Sequence, residues 1–297
     1  MSADAKKLRV SRSSGGGSAN DQCHHNQTNV RPRDHHIMPH PRVKVILWGH
    51  FFVSNPDAVA TVSELVTSIV EGRYMNNLVQ YGIGRGSFVD VAVVDTNSNE
   101  PAPDSLSPGD AQDQLISWLR AELIAPAPAV NEHNLLYLLF PPPSTALTPT
   151  DVDFGGYHRY GKFNSDSNGD DLFWAIFRTG SGFANQSSGD SLIRSLGPIV
   201  SHEMTEAFTD RDDDGFLTDN GCEVSDLCEA MSNFTHQGFQ VEHYWSNWDR
   251  SCIRGDNPVR LLRFLKAVAH SGTPPSGVRW MGMPRIGLET IAARMRP

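Results

Sequence analysis

The chain has 297 residues, a net charge of -9, 39% hydrophobic residues and 20% charged residues. Its length permits one large domain or two small ones, with a real hydrophobic core in either case. The acidic balance argues against a general nucleic-acid binder, because neutralising phosphates requires clustered Lys and Arg. No apolar run is long enough to span a membrane, and Met1 to Val10 lack the apolar core of a signal peptide. Taken literally, these features predict a cytoplasmic protein.

The N-terminal segment, residues 1–41, is rich in Ser, Gly and His and has no periodic apolar pattern. This composition is typical of disorder, so we predict a disordered tail whose histidines trap metal at most loosely. The ordered domain is predicted to span residues 42–256, followed by a basic extension at 257–297. A helix at Pro258–His270 is expected within that extension.

The four cysteines are too few for a disulfide scaffold in a chain of this length. Cys23 lies in the N-terminal segment, whereas Cys222, Cys228 and Cys252 flank an acidic region. Three clustered cysteines could bind zinc, but no C-x-x-C pair is present. We therefore expect one local disulfide and one leftover thiol.

Strands and helices alternate along the predicted domain. Short apolar runs predict strands, and apolar residues at helical spacing predict helices. In chain order these are a strand at Val43–Trp48, a helix opening at Pro56, a strand at Phe88–Val94, a helix from Asp110 reaching Leu123, and strands at Leu135–Phe140 and Leu172–Phe177. This order favours an α/β or α+β fold in which helices cover a sheet.

The helical segment Ile199–Phe208 contains the residues best suited to chemistry. Gly197-Pro198 is a plausible helix start, because proline fits the first helical position. Apolar residues surround much of this helix, and ionisable side chains on a buried helix are costly unless something binds them. His202 and Glu206 are four positions apart and share a face, so both can bind one ion. Glu203 lies about a quarter-turn away and can reach a water molecule on that ion.

These three residues predict a zinc hydrolase site. Such sites take two ligands from one helix and a third from elsewhere, and a water molecule in the fourth position has its pKa lowered by the metal. The common pattern is H-E-x-x-H, whereas Glu206 replaces the second histidine here. A carboxylate ligand still favours Zn²⁺ and makes Mn²⁺ or Fe²⁺ more credible. We expect one Zn²⁺ per chain, with Glu203 as the general base.

Two carboxylates downstream are candidates for the remaining metal contacts. Glu223 follows Glu206 by seventeen positions. Zinc peptidases of the thermolysin type have a ligand Glu at a similar separation along the chain from the first helix. By that logic Glu223 is the third ligand and Asp226 orients His202. The two roles can be exchanged, since both side chains are carboxylates. The alternative is that both residues cap a helix.

An Asp-x-Asp-x-Asp-Gly pattern separates the two halves of the proposed site. It matches the first half of a calcium loop, with Asp210, Asp212, Asp214 and Phe216 as the candidate Ca²⁺ ligands. Gly221 stands where the bidentate Glu of such a loop is expected. A plain acidic turn is therefore an equally good interpretation.

His158 follows two glycines in a segment, 155–160, that also contains two tyrosines. This setting predicts a substrate-facing loop in which His158 stabilises a developing oxyanion. A metal ligand and an ordinary surface residue are the alternatives.

Motifs spread over roughly residues 43–255 resemble the exordium (phosphate-induced protein) family and its bacterial and fungal relatives. The helix and the Trp-Ser-Asn segment are the most specific of them. The matching segments are Val45–Gly49, Tyr137–Pro142 with its Phe-Pro-Pro, Gly156-Tyr157-His158, Ser201–Asp210, Glu223–Cys228, and Tyr244–Asn247 together with Cys252. The chain departs from the family pattern at Gly155, where a cysteine is expected, and at Arg211, where a proline often follows.

The resemblance implies a zincin-like metallopeptidase of α+β fold carrying H-E-x-x-E, with a mixed sheet packed against helices and a buried active-site helix. It further implies export of the protein, a peptide or protein substrate, and a disulfide between Cys228 and Cys252. The missing cysteine at position 155 would leave Cys222 unpaired. The competing hypothesis is a non-catalytic extracellular or signalling protein that metal or calcium stabilises.

Overall fold

The computed structural model describes residues 23, 28–34, 36–95, 102–129, 132–148, 155–163, 171–179 and 196–257. The chain divides into two compact units, Met1–Asn257 and Pro258–Pro297. The second unit, including the helix predicted at Pro258–His270, lies outside the described residues. No helix in the described ranges is both long and apolar enough to cross a membrane.

The described residues form a mixed α and β structure. Its helices are α1 (His50–Ser54), α2 (Pro56–Val70), α3 (Pro108–Arg120) and α4 (Gly197–Thr209), with 3-10 helices at Arg73–Tyr81 and Asp226–Cys228. Its strands are β1 (Arg31–Pro32), β2 (Arg42–Trp48), β3 (Ser87–Val94), β4 (Ser105–Leu106), β5 (Leu135–Phe140), β6 (Ala146–Leu147), β7 (Gly156–Lys162), β8 (Asp171–Phe177), β9 (Phe216–Leu217), β10 (Phe234–His236), β11 (Phe239–Val241), β12 (Tyr244–Ser246) and β13 (Ser251–Ile253).

A five-stranded mixed sheet in the order β3-β2-β5-β8-β7 forms the centre of the fold. Strands β3, β2, β5 and β8 are parallel, and β7 joins the edge antiparallel to β8. Every residue of β5 is buried, because helices cover both faces of the sheet. A strand buried on both faces reads as a continuous apolar run, which is why the sequence predicts β2, β5 and β8.

The two faces of the sheet have separate hydrophobic cores. On one face, alternate strand residues such as Val45 and Leu138 pack with Leu65 of α2 and Met204 of α4. On the other face, Tyr137 and its neighbours pack with α3. The expected mixed sheet packed against helices, with a buried helix at 197–209, is confirmed.

Helix α3 begins slightly earlier and ends earlier than predicted. Ser107 caps its first turn and forms a reciprocal capping box with Asp110, so the acidic residue lies inside the helix. The helix ends at Arg120. Leu123, which the apolar spacing placed on its buried side, lies beyond that end and is 56% exposed.

The prediction of disorder for residues 1–41 does not hold for the described residues of that segment. Strand β1 pairs antiparallel with β9, and Met38 is fully buried. The Asn247 side chain accepts a hydrogen bond from the Val30 amide at 3.0 Å and donates one to the Val30 carbonyl at 2.8 Å. The strand pairing and the hydrogen bonds of Val30 involve backbone atoms of this segment, so no apolar periodicity in the sequence predicts them.

All four cysteines form disulfides, Cys23–Cys222 and Cys228–Cys252. The second pairing is the one that the resemblance implies, whereas the expected leftover thiol is wrong. Cys23 and Cys222 are 199 positions apart, and only the tertiary fold brings them together. Disulfides persist in oxidising compartments, so two of them indicate an oxidising environment for this protein.

Replacing both Cys23 and Cys222 by serine should lower the free energy of unfolding by about 2–4 kcal/mol, because the cross-link restricts the unfolded chain. Urea unfolding of the variant and the wild type measures the difference, and non-reducing peptide mapping checks both pairings. The matched control replaces Cys228 and Cys252, which close a much shorter loop and should cost less. Unchanged stability of the first variant would contradict the prediction.

Candidate metal centre

Helix α4 brings three ionisable side chains into the core. It packs against β7, β8 and β11, and its first residue, Gly197, lies so close to the Gln240 carbonyl that a Cβ atom would be 2.1 Å from that oxygen. His202, Glu203 and Glu206 are each about 1% exposed. Charged groups this deeply buried need compensating partners.

One group of possible metal donors forms around His202. The Nε2 atom of His202 lies 3.1 Å from Glu206 Oε1 and 3.8 Å from Asp226 Oδ1. One donor atom from each residue lies within 4.8 Å of the others. The helical spacing therefore places His202 and Glu206 on one face as expected, and the third donor of this group is Asp226.

Asp226 faces Nε2 of His202, which is the exchanged assignment that the sequence left open, and it does not contact the Nδ1 atom by which an orienting carboxylate would hold the ring. It begins the 3-10 helix Asp226–Cys228, and its backbone amide donates to Glu206 Oε1 at 3.2 Å. Its Oδ2 atom accepts from the Glu223 amide at 3.2 Å. These bonds hold the Asp226 carboxylate on the Glu206 side of His202, facing Nε2.

The carboxylate that orients His202 is Glu242, which the sequence analysis missed. Glu242 Oε2 lies 2.8 Å from His202 Nδ1. Its backbone is fixed at both polar atoms, since the amide donates to Ser201 Oγ at 2.9 Å and the carbonyl accepts from the Tyr74 hydroxyl at 3.1 Å. Glu242 directly follows β11, 40 positions after His202, and no local pattern links the two residues.

A second group of possible donors forms around His158. Its Nδ1 atom lies 3.1 Å from Glu203 Oε2 and 3.8 Å from Glu206 Oε2. One donor atom from each of these three residues lies within 4.8 Å of the others. Its Nε2 atom lies 3.4 Å from Glu223 Oε1. Glu223 therefore approaches His158, whereas the sequence assigned it to the metal held by His202.

His158 lies on strand β7, not in the substrate-facing loop that its glycines suggested. The side chain is 11% exposed and both ring nitrogens face carboxylates. Only the first two residues of β7 are buried and the rest are partly or fully exposed, so its sequence is more polar than that of β5 and lacks a continuous apolar run. The predicted oxyanion contact has no support in this orientation of the ring.

The pKa values of the site reflect burial and crowded carboxylates. Burial would lower the pKa of His158, but the hydrogen bond with Glu203 and the negative charges nearby raise it to about 9. Burial also opposes the charged form of His202, yet Glu206 and Glu242 raise its pKa well above the usual value. Burial raises the pKa of Glu206 to about 7, against the opposing effect of His202. Protons on the imidazoles thus supply positive charge when no cation does.

The residues around His202 fit a divalent metal ion. The buried Nε2 atom of His202 makes no hydrogen bond of good geometry with any described residue, although Glu206 Oε1 is near. One imidazole nitrogen and two carboxylate oxygens suit Zn²⁺, Mn²⁺ or Fe²⁺. The carboxylate on the other ring nitrogen matches the usual arrangement of metal-bound histidines, in which that nitrogen donates to a carboxylate.

The Asp-rich segment forms a turn in which its residues have protein partners, and the calcium interpretation gains no support. Asp210 Oδ1 accepts from the Gly215 amide at 2.7 Å, and Asp212 Oδ1 lies 2.8 Å from His36 Nδ1. The Asp214 carbonyl accepts from the Asp34 amide at 2.9 Å. Phe216 pairs with Pro32 in the two-stranded ladder. The segment thus links α4 to residues 31–34 and 36.

No protein-family model and no curated protein matches the chain. The functional argument therefore depends on the geometry of the two donor groups.

Glu242→Gln should weaken zinc binding about 10–100-fold, because the ligand histidine loses the carboxylate that fixes its orientation and raises its basicity. Competition with a chromophoric chelator measures the affinity. Asp256→Asn is the matched control, since Asp256 Oδ2 lies 3.3 Å from His236 Nδ1 in a similar pair outside the site. Equal affinities for Glu242→Gln and the wild type would refute this role.

Asp226→Asn should lose most of the zinc bound at one molar equivalent, whereas Glu223→Gln should retain it. The reason is that the Asp226 carboxylate faces His202 Nε2, the nitrogen that also lies next to Glu206, whereas the Glu223 carboxylate faces His158. Elemental analysis after gel filtration measures the retained metal. The reverse pattern would restore the original assignment of Glu223 as the third ligand.

Proposed function

We propose that the protein is a zinc-dependent hydrolase that cleaves peptide bonds. The observation that carries the proposal is the close grouping of His202, Glu206 and Asp226 beside a further glutamate of the same helix. His202 Nε2 lies 3.1 Å from Glu206 Oε1 and 3.8 Å from Asp226 Oδ1. Zinc hydrolases combine three protein ligands with a neighbouring general base in this way. His202, Glu206 and Asp226 hold the metal in this proposal.

Bound Zn²⁺ would supply a Lewis acid that polarises a substrate carbonyl and acidifies a water molecule. The protein contributes the remaining parts of the machinery. Glu203 accepts the proton from water and returns it to the leaving amine, as a general base and then a general acid. Glu242 keeps His202 in one orientation and tautomer, with Nδ1 donating and Nε2 available to the metal.

His158 acts on Glu203 in this mechanism. Its Nδ1 atom lies 3.1 Å from Glu203 Oε2, so the ring holds the carboxylate in a fixed position. A general base must keep its lone pair directed at the water from which it takes a proton. The positions of both ring nitrogens favour this role over the contact with an oxyanion that the sequence suggested.

The wider fold agrees with a zincin-like peptidase. A mixed sheet ends in an antiparallel edge strand, β7, and the helix with the ligands packs directly against that strand. The two disulfides are consistent with export, which the resemblance to exordium-type proteins implies. Peptides or proteins outside the cell are therefore the proposed substrates.

Glu203→Gln should lower the hydrolysis rate about 10²–10⁴-fold while metal content and stability stay close to those of the wild type. The amide keeps the size of the side chain but cannot take a proton. A quenched-fluorescence peptide library measures turnover, and elemental analysis measures metal. Glu64→Gln, on the exposed side of α2, is the control and should leave turnover unchanged.

The same assay distinguishes the competing hypothesis of a metal-stabilised, non-catalytic protein. In that case, zinc-loaded wild type has no peptide hydrolysis above the metal-free protein, and Glu203→Gln changes nothing. Removing zinc would then lower only the thermal midpoint of unfolding.

A further inference from the structure

The carboxylate of Glu206 faces two different donor groups with its two oxygens. Oε1 lies 3.1 Å from His202 Nε2, whereas Oε2 lies 3.8 Å from His158 Nδ1. Glu206 is a member of both donor groups, the one that includes Asp226 and the one that includes Glu203. A carboxylate shared in this way has the connectivity of a bridge between two metal ions.

Both histidines also have the environment of metal ligands. Each has one ring nitrogen in a donor group and the other against a further carboxylate. For His202 that carboxylate is Glu242 at 2.8 Å, and for His158 it is Glu223 at 3.4 Å. A metal-bound histidine typically directs its remaining N–H at a carboxylate, which fixes the ring and raises its basicity. The arrangement thus occurs twice, once for each group.

The charge balance of the site favours more than one divalent cation. Five carboxylates surround the two imidazoles: Glu203, Glu206, Glu223, Asp226 and Glu242. One divalent cation with neutral imidazoles leaves most of this negative charge buried and uncompensated. A second cation removes most of the remainder, and buried charge is tolerated only when it is paired or bound to metal.

We propose that the site binds a second divalent transition-metal ion through His158 Nδ1, Glu203 Oε2 and Glu206 Oε2, with Glu206 bridging it to the first. An imidazole and two carboxylates suit Zn²⁺, Mn²⁺ or Fe²⁺. The two ions of carboxylate-bridged sites are about 3.5–4 Å apart. Glu223 orients His158 as Glu242 orients His202.

The second ion has a functional consequence that rests on the proposed hydrolase activity. It binds Glu203, so the general base can no longer take a proton from water. Binding of the second ion therefore turns the enzyme off, and the rate should fall about 10²-fold or more once this position fills. The concentration of free metal would thereby regulate the same site that it activates.

Electron paramagnetic resonance of the full chain with Mn²⁺ tests the proposal without relying on activity. At one molar equivalent, the metal-free protein should give the signal of an isolated bound ion. At two equivalents, the denser hyperfine pattern of an exchange-coupled manganese pair should appear. An ion held elsewhere on the chain gives only an isolated-ion signal, so it cannot imitate the pair.

Variants separate the two positions. His158→Ala should bind the first ion and never give the coupled pattern. Glu223→Gln preserves the side-chain volume and should raise the Mn²⁺ concentration needed for the coupled pattern about 10–100-fold, which keeps the test valid if His158→Ala does not fold. His50→Ala is the matched control, because this histidine is exposed and pairs with Asp95 away from the site.

The outcomes distinguish the two proposals. A coupled pattern that depends on His158 and Glu223 supports the second ion. Isolated bound ions alone at two equivalents overturn it and leave the single-metal hydrolase intact. Absence of any specifically bound ion overturns both.

Discussion

Burial of ionisable side chains on α4 is the constraint on which the rest of the site depends. A helix in the hydrophobic core exposes none of its polar groups to water, so every charge on it must meet an opposite charge, a proton or a cation. The elements around α4 supply these partners from distant parts of the sequence. Strand β7 brings His158, the 3-10 helix at Asp226–Cys228 brings a carboxylate, and the residue after β11 brings Glu242.

The sequence predicts the parts of the fold and site that depend on local spacing. Strands buried on both faces appear as apolar runs, and the i, i+4 relation of His202 and Glu206 follows from helix geometry. Strand β7 is missed because it is mostly partly exposed, and His158, Arg159 and Lys162 interrupt its apolar residues. Glu242 is missed because only the packing of β11 on α4 brings it to His202. Glu223 and Asp226 are found, but hydrogen bonds of the turn decide which carboxylate faces which histidine.

The N-terminal segment and the acidic turn together support the candidate metal centre. Backbone hydrogen bonds join residues 33, 34, 36 and 38 to the end of α4 and to the turn that follows it. The same turn leads to Cys222 and then to Glu223 and Asp226. The carboxylates are therefore held from two directions, by α4 through Glu206 and by the N-terminal segment through the turn. A rigid support of this kind keeps ligands in place before a metal ion arrives.

The long-range disulfide also bears on how the chain reaches its native state during synthesis. Cys23 leaves the ribosome early, while its partner appears 199 positions later. Once synthesis passes position 228, two thiols only six positions apart compete for Cys23, and Cys252 follows soon after. Of the three pairings that four cysteines allow, the native one joins cysteines that are consecutive along the chain, Cys23 with Cys222 and Cys228 with Cys252. The order of synthesis therefore favours the native pairing, because Cys222 is available to Cys23 before the other two thiols. Thiol–disulfide exchange is needed only for chains in which Cys23 has first reacted with Cys228 or Cys252.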